Sequence, residues 1–347
     1  MSEYAVSQVY PSDKRTLARV DALLEREGIR RDENLDHICA IYDDDYDVIA
    51  TGSCFGNTLR CFAVSSEHQG EGLLNQVITY LIDFQYRRGN THLFLYTKIN
   101  SAKFFGDLGF REIARVDGTL VFMENRASGF PSYIKRLEKS RREGASACVV
   151  MNANPFTLGH QYLVETAAAR CDTLHLFIVS EDASLVPFDV RKKLVIAGTS
   201  HLKNVVCHDS GPYIISNATF PSYFLKDAAA VIEGHARLDI EVFKKIAAAL
   251  GVTERFVGEE PTSQVTGIYN RIMCEQLPKA GIACTVVPRK QFGGAPISAS
   301  TVRSLLKEGN FDALTDLLPA TTLDYFRSGE AAPVLERIRA SENVVHY

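Results

Sequence analysis

No uninterrupted apolar run in the 347 residues approaches the roughly 20 that cross a bilayer, which excludes a membrane-spanning helix. The opening Ser2-Glu3-Tyr4 lacks the basic region and apolar stretch of a secretory signal, so a cytoplasmic location is expected. None of the eight cysteines forms a Cys-x-x-Cys pair and most sit inside apolar runs, which points to buried free thiols rather than disulfides or a zinc site. A basic excess is also missing. The 42 Asp and Glu outnumber the 38 Lys and Arg, giving a net charge of -4, so nucleic acid is not an expected partner. There is no internal repeat and no low-complexity segment. What remains is the composition of an ordinary globular chain, 46% hydrophobic and 23% charged, long enough for two folding units with a core each.

The first half reads strand, strand, Gly-containing turn, helix, strand, helix, strand. Strands are expected at Val48–Gly52, Arg60–Val64 and His92–Tyr96, with a helix at Leu73–Arg88 whose Leu74, Val77, Ile78, Leu81 and Phe84 recur at helical spacing. From Phe130 to Gly144 charge dominates, as in a linker helix, and we place the seam near Arg142, giving domains 1–142 and 143–347. Ala147–Met151 is then a short continuous apolar run, the pattern of a strand buried on both faces of a parallel sheet. Strands at Leu174–Val179, Val205–Cys207, Phe256–Gly258 and Cys284–Val287 alternate with helices from Gly159, at Asp189–Ala197, Ile240–Leu250 and Val265–Gln276. Such alternation predicts a doubly wound α/β sheet, with ligands bound beyond the carboxyl ends of the strands.

At that edge lies Asn152-Ala153-Asn154-Pro155-Phe156-Thr157-Leu158-Gly159-His160, between the first strand of the second domain and a helix. A helix start offers unpaired N–H groups and the positive end of the dipole, a natural seat for a triphosphate. Gly159 lets backbone come close to phosphate, and Thr157 and His160 place a hydroxyl and an imidazole three residues apart. The alternative is a plain helix start with Thr157 as its cap. A second stretch strengthens the ligand reading: Ile297-Ser298-Ala299-Ser300-Thr301-Val302-Arg303 follows the Gly-rich loop Phe292–Pro296 and opens another helix. Ser298 or Ser300 caps it, and Arg303 adds a guanidinium one turn on. Gly258 and Glu259 end a strand at the same edge and either admit adenine and ribose or form only a turn. Arg191, after Pro187 and Asp189, either reaches phosphate or stands as a solvated charge.

Together the two stretches resemble the T/H-x-G-H and I-S-S-T-x-x-R signatures of the HIGH-type nucleotidyltransferase superfamily, with Thr157 in the place of a first histidine, Ala299 for a serine and Asn154 where Asp is frequent. The resemblance implies a HUP-like fold and attack on the α-phosphate of ATP with departure of pyrophosphate. His160 and Thr157 would serve the α and β phosphates, Arg303 and Ser300 the β and γ phosphates. Asn152, Asn154, Pro155, Phe156, Gly159, Ser298 and Thr301 would complete the nucleotide site. Mg²⁺ would be carried by the nucleotide, there being no dedicated carboxylate cage.

In the first domain Ser66-Glu67-His68-Gln69-Gly70-Glu71-Gly72-Leu73 precedes a long helix, and Asn100-Ser101-Ala102-Lys103-Phe104-Phe105 leads to Leu108-Gly109-Phe110. This resembles the GNAT acetyltransferase fold, whose turn, here Gly70 and Gly72, cradles the pyrophosphate of coenzyme A; the usual Gln or Arg of that turn is Glu67. The domain is then purely structural or holds a pantetheine-containing arm.

The pairing of a GNAT-like domain with this nucleotidyltransferase, plus the stretches Pro187–Val195, Tyr213–Phe224 and Val257–Pro261 with Tyr269-Asn270, is similar to the citrate lyase ligase family. That resemblance implies acetyl-AMP formed from acetate and ATP, and transfer of the acetyl group to the thiol of the phosphoribosyl-dephospho-coenzyme A arm on the citrate lyase acyl-carrier subunit. In that scheme Tyr213, Phe220, Tyr223 and Phe224 either shape a dry acetate pocket or form an ordinary packed loop. Two other readings stay open: an adenylyltransferase that joins AMP to a phosphorylated pantetheine and stops there, and a GNAT acetyltransferase with a nucleotide-binding regulatory domain.

Overall fold

The computed structural model describes residues 4–181, 184–214, 228–260 and 264–342, without the side chains of 228, 229, 264 and 265. The chain forms two compact units, Met1–Ser132 with Phe220–Glu241, and Tyr133–Thr219 with Val242–Tyr347.

The first unit holds β1 (Ser7–Val9), α1 (Lys14–Arg26), β2 (His37–Tyr42), β3 (Val48–Phe55), β4 (Thr58–Val64), α2 (Leu73–Arg87), β5 (Phe94–Thr97), α3 (Ile99–Asp107), β6 (Arg111–Val116), β7 (Leu120–Glu124) and the start of α4 (Gly129–Glu138). The segment before Val48 adds β1, α1 and β2 to the expected elements. Its signals are local: Asp13 caps α1 by accepting from Thr16 N–H at 3.0 Å, and Leu17, Val20, Leu23 and Leu24 make one buried stripe. The strands form one mixed sheet in the order β1-β2-β3-β4-β5-β7-β6. Every pair is antiparallel except β4–β5, which pair only at Thr58 with Phe94 and Leu59 with Leu95. Alternation along β2 sends Ile38 and Ala40 to the α1 side and Cys39 and Ile41 to the α2 and α3 side, so each face has its own core. This is a mixed α/β unit.

The second unit holds β8 (Ser146–Met151), α5 (Leu158–Ala168), β9 (Thr173–Ile178), α6 (Phe188–Thr199), β10 (Val205–Asp209), the end of α7 (Ala228–Leu250), β11 (Val252–Gly258), α8 (Gln264–Gln276), β12 (Ala283–Val287), the hairpin β13 (Gln291–Phe292) and β14 (Ala295–Pro296), α9 (Ala299–Glu308), α10 (Ala320–Arg327) and α11 (Ala332–Ala340). Five strands run parallel in the order β10-β9-β8-β11-β12. The inner strand β9, TLHLFI, is buried at every position, whereas the outer β10 and β12 are half exposed, as the positions in the sheet require. One face packs α5, α6 and α9 to α11 into a core that includes Val149, Phe156, Leu176, Val302 and Phe326. α7 is 23 residues long rather than starting at Ile240, because the Ala-rich stretch before it also favours helix. The Gly-rich loop is the tip of a hairpin: Gly293 and Gly294 both take positive φ, 60° and 80°, as a two-residue turn between antiparallel strands requires.

None of the eight cysteines, all among the described residues, forms a disulfide; four are buried and Cys171, Cys207, Cys274 and Cys284 are half-buried. No helix among the described residues is long and apolar enough to cross a membrane.

Candidate active site at two helix tips

The strand order reverses between β8 and β11, the position where an open parallel sheet leaves a crevice at the carboxyl ends of its strands. β8 delivers residues 152–160 to that edge, β11 delivers Gly258 and Glu259, and β12 delivers the segment that leads to α9.

Thr157 is the N-cap of α5. Its Oγ1 accepts from His160 N–H at 3.3 Å, and His160 Nδ1 accepts from Thr157 N–H at 3.1 Å, a reciprocal capping box with histidine in the usual place of Glu or Gln. The same arrangement sets the tautomer. A backbone amide can only donate, so Nδ1 carries a lone pair and the proton of the neutral ring sits on Nε2. The cap and the ligand readings of Thr157 therefore describe one device: a buried threonine that orients the histidine. Thr157→Val should lower stability by about 1 kcal/mol, read from the thermal midpoint, with Ser restoring most of it.

The caps leave a short set of open donors. In α5, Leu158 N–H donates to Leu317 O and His160 N–H to Thr157, while Gly159 N–H has no partner among the described residues. In α9, Ser298 is the cap: its Oγ accepts from Thr301 N–H at 3.1 Å, and its backbone carbonyl accepts from Val302 N–H. The amides of Ala299 and Ser300 stay open among the described residues. The hydroxyls of Ser300 and Thr301 bond Ser298 Oγ at 2.9 and 2.8 Å, so these side chains build the tip.

The two tips touch. A Cβ on Gly159 would lie 3.1 Å from Ile297 O, so only glycine lets the segments approach this closely. Arg303, 2% exposed, donates from Nη1 to Asn154 O, tying α9 to the loop before α5. Burial lowers its pKa to about 10, which leaves it cationic at neutral pH. Asn154 is buried too; its Oδ1 accepts from Val186 N–H at 3.0 Å, and its Nδ2 donates to nothing among the described residues.

Arg289 belongs to this site although no motif singles it out. It follows the end of β12, donates to Glu259 O at 2.7 Å and pairs with the Glu260 carboxylate. Its placement at the ligand edge of a strand was the available signal. His160 feels it: burial first, then the charges of Arg289 and Arg303, lower the imidazole pKa to about 4. The folded histidine is thus neutral where an unfolded one begins to bind a proton, near 6.5. Since the unfolded chain binds more protons between those values, stability should be complete above about pH 6.5 and fall as pH drops toward 4. Urea midpoints of wild type and His160→Asn across that range check this, the variant losing less on acidification.

Other expected positions have different surroundings. Phe156 is fully buried in the core, where a Cβ on Gly198 would sit 2.5 Å from its ring; its apolar side chain packs the loop and offers nothing polar to phosphate. Pro155 is buried beside it. Arg191 is not a solvated charge: it is 0% exposed, and its donors go to the carbonyls of Asn152, Val179, Glu181 and Val186. Asn152 Nδ2 bonds Ser184 Oγ. Among the described residues only Leu163 comes within 4 Å of a would-be Cβ on Gly258, and the Gly258 carbonyl accepts from Asn270. Tyr213 is buried and packs on Tyr133, ring centroids 4.8 Å apart. Phe220, Tyr223, Phe224 and Pro261 lie outside the described residues. In the first unit, Gly70 and Gly72 line a groove of about 590 Å³ between the diverging ends of β4 and β5, walled by Phe62, Leu73 and Phe104 with Lys98 and Ser101 at its edge.

A doubly wound parallel sheet with two open helix tips meeting at its switch point defines an α/β domain of the nucleotidyltransferase type. The chain belongs to the citrate lyase ligase family and is an enzyme, a ligase: residues 146–326 match the family's C-terminal domain. The citrate (pro-3S)-lyase ligase of Escherichia coli is 39% identical, with 93% of each chain covered. That of Haemophilus influenzae is 38% identical over 91% of this chain and 96% of the relative. An acyl-CoA N-acyltransferase from Pseudomonas aeruginosa covers 35% of this chain and 99% of its own at 15% identity and a TM-score of 0.31, a likeness too slight to carry an argument.

Proposed function

We propose that the enzyme acetylates the prosthetic-group thiol of the citrate lyase acyl carrier through acetyl-AMP, and that residues 143–347 carry the adenylation. The observation that supports this most is the contact between the α5 and α9 tips, which gathers the open amides of Gly159, Ala299 and Ser300 with Arg303 and His160 around one place for an anion. A carboxylate oxygen of acetate attacks the α-phosphorus of ATP, the bond to the β-phosphate oxygen breaks, and pyrophosphate leaves. His160 Nε2–H donates to the α and β phosphates. Arg303 and the α9 amides hold the β and γ phosphates. Mg²⁺ carried by the nucleotide would offset the charge on its phosphate oxygens. The carrier thiolate then attacks the acetyl carbon, and the bond to the AMP oxygen breaks. No covalent enzyme intermediate is needed, so rate enhancement comes from positioning and from donors fixed before charge develops.

The groove at Gly70 and Gly72 suits the pantetheine-containing arm: apolar walls for its chain and glycine backbone for its phosphates. Titration with coenzyme A, measured calorimetrically, should give binding that Gly72→Asp abolishes.

The test of the reaction is pyrophosphate release from Mg-ATP with and without acetate, using hydroxylamine to trap the acetyl group. Release that needs acetate supports the proposal. Release that needs phosphopantetheine instead favours an adenylyltransferase, and acetyl transfer from acetyl-coenzyme A without ATP favours an acetyltransferase.

A further inference from the structure

Residues 152–154 leave β8 with carbonyl groups that would repel a triphosphate if they faced it. The structure assigns their control to Arg191. Its Nε donates to Val186 O at 3.0 Å, Nη1 to Asn152 O and Val179 O at 2.8 Å each, and Nη2 to Glu181 O at 2.5 Å. One planar fork thus joins the loop after β8, at Asn152, to the loop after β9, at Val179, Glu181 and Val186, from a single point in α6. Val186 N–H donating to Asn154 Oδ1 and Asn152 Nδ2 donating to Ser184 Oγ tie the same two loops. A lysine cannot replace this, because its donors share one nitrogen and cannot reach carbonyls spread along a plane.

We propose that Arg191 is a positioning residue of the adenylation site: it turns the Asn152 carbonyl inward and so fixes the strand-to-helix loop that presents Gly159 N–H and His160 to the nucleotide. It touches no phosphate itself, since its guanidinium is fully buried and engaged with backbone. The proposal rests on the adenylation reading above.

The test is Arg191→Lys in acetate-dependent pyrophosphate release, with kcat and the KM for ATP measured separately and folding followed by circular dichroism. A loop displaced by a fraction of an ångström loses transition-state alignment while the nucleotide still binds, so kcat should fall about 10²-fold. The KM for ATP should stay within roughly 3-fold of wild type. A rise in that KM with kcat preserved would make Arg191 a nucleotide contact and overturn the proposal; unchanged constants with a lowered thermal midpoint would make it merely structural. Should Arg191→Lys fail to fold, Ser184→Ala loosens the same junction more gently and must lower kcat without raising the KM; unchanged kinetics there would reject the proposal. The wild-type run separates the two claims. Absence of acetate-dependent release in wild type sinks the reaction and the Arg191 role together, while an unaffected Arg191→Lys in an active background sinks the Arg191 role alone.

Discussion

Replacing His160 by Ala should lower acetate-dependent pyrophosphate release about 10²- to 10³-fold, the usual loss when one fixed donor to a developing charge is removed. The fold should survive, because the ring is only partly buried at the tip of α5 and Thr157 keeps its hydroxyl bond to the helix amide. The effect should fall on kcat. With Nδ1 engaged by Thr157 N–H, the ring presents Nε2–H already oriented, so its contribution grows as charge builds on the phosphates. His160→Asn is the informative companion: an amide can donate but cannot reproduce the capping box and the outward N–H together. Activity near wild type in the Ala variant would remove His160 from the mechanism.

The second large effect is expected at Arg303. Arg303→Met should reduce kcat/KM for ATP by about 10³-fold, since the change removes a cation beside the triphosphate and also releases the Asn154 carbonyl from its inward bond. Lysine should restore little, because the role depends on a fork that can bond a carbonyl and an anion at once. Met keeps the volume of the buried chain, so a loss of activity with an intact thermal midpoint would mark chemistry rather than packing. Steady-state kinetics with ATP as the varied substrate decides between these outcomes.

How much of this could be read from residues alone differs from one position to the next. The parallel sheet was legible because its strands are short continuous apolar runs, and the ligand edge followed from their direction. Thr157 and His160 were legible as a pair because a capping residue and a histidine three positions on sit at a helix start. Their division of labour was not: a sequence cannot tell whether a hydroxyl bonds a phosphate or its own helix, and here it bonds the helix while the amides stay open. Arg191 was named as a phosphate contact or a solvated charge rather than as a clamp on carbonyls, and Arg289 was not named at all, for a related reason. Their partners are carbonyls and carboxylates brought near by the sheet, with Arg191 reaching back to Asn152 and Arg289 to Glu259 and Glu260. Phe156 was named with the nucleotide from its place in the motif; its ring packs in the core. In the first half, β1, α1 and β2 lay before the earliest expected strand although Asp13 and the Leu17–Leu24 stripe announce a helix there.

Two helix tips, one after β8 and one before Val302, should hold the same triphosphate. A crystal structure of the protein soaked with Mg-ATP measures this directly. The predicted result is a nucleotide whose phosphates accept from Gly159 N–H and from Ala299 or Ser300 N–H, with His160 Nε2 within hydrogen-bonding distance. Phosphates bound elsewhere, with those three amides facing only water, would contradict it.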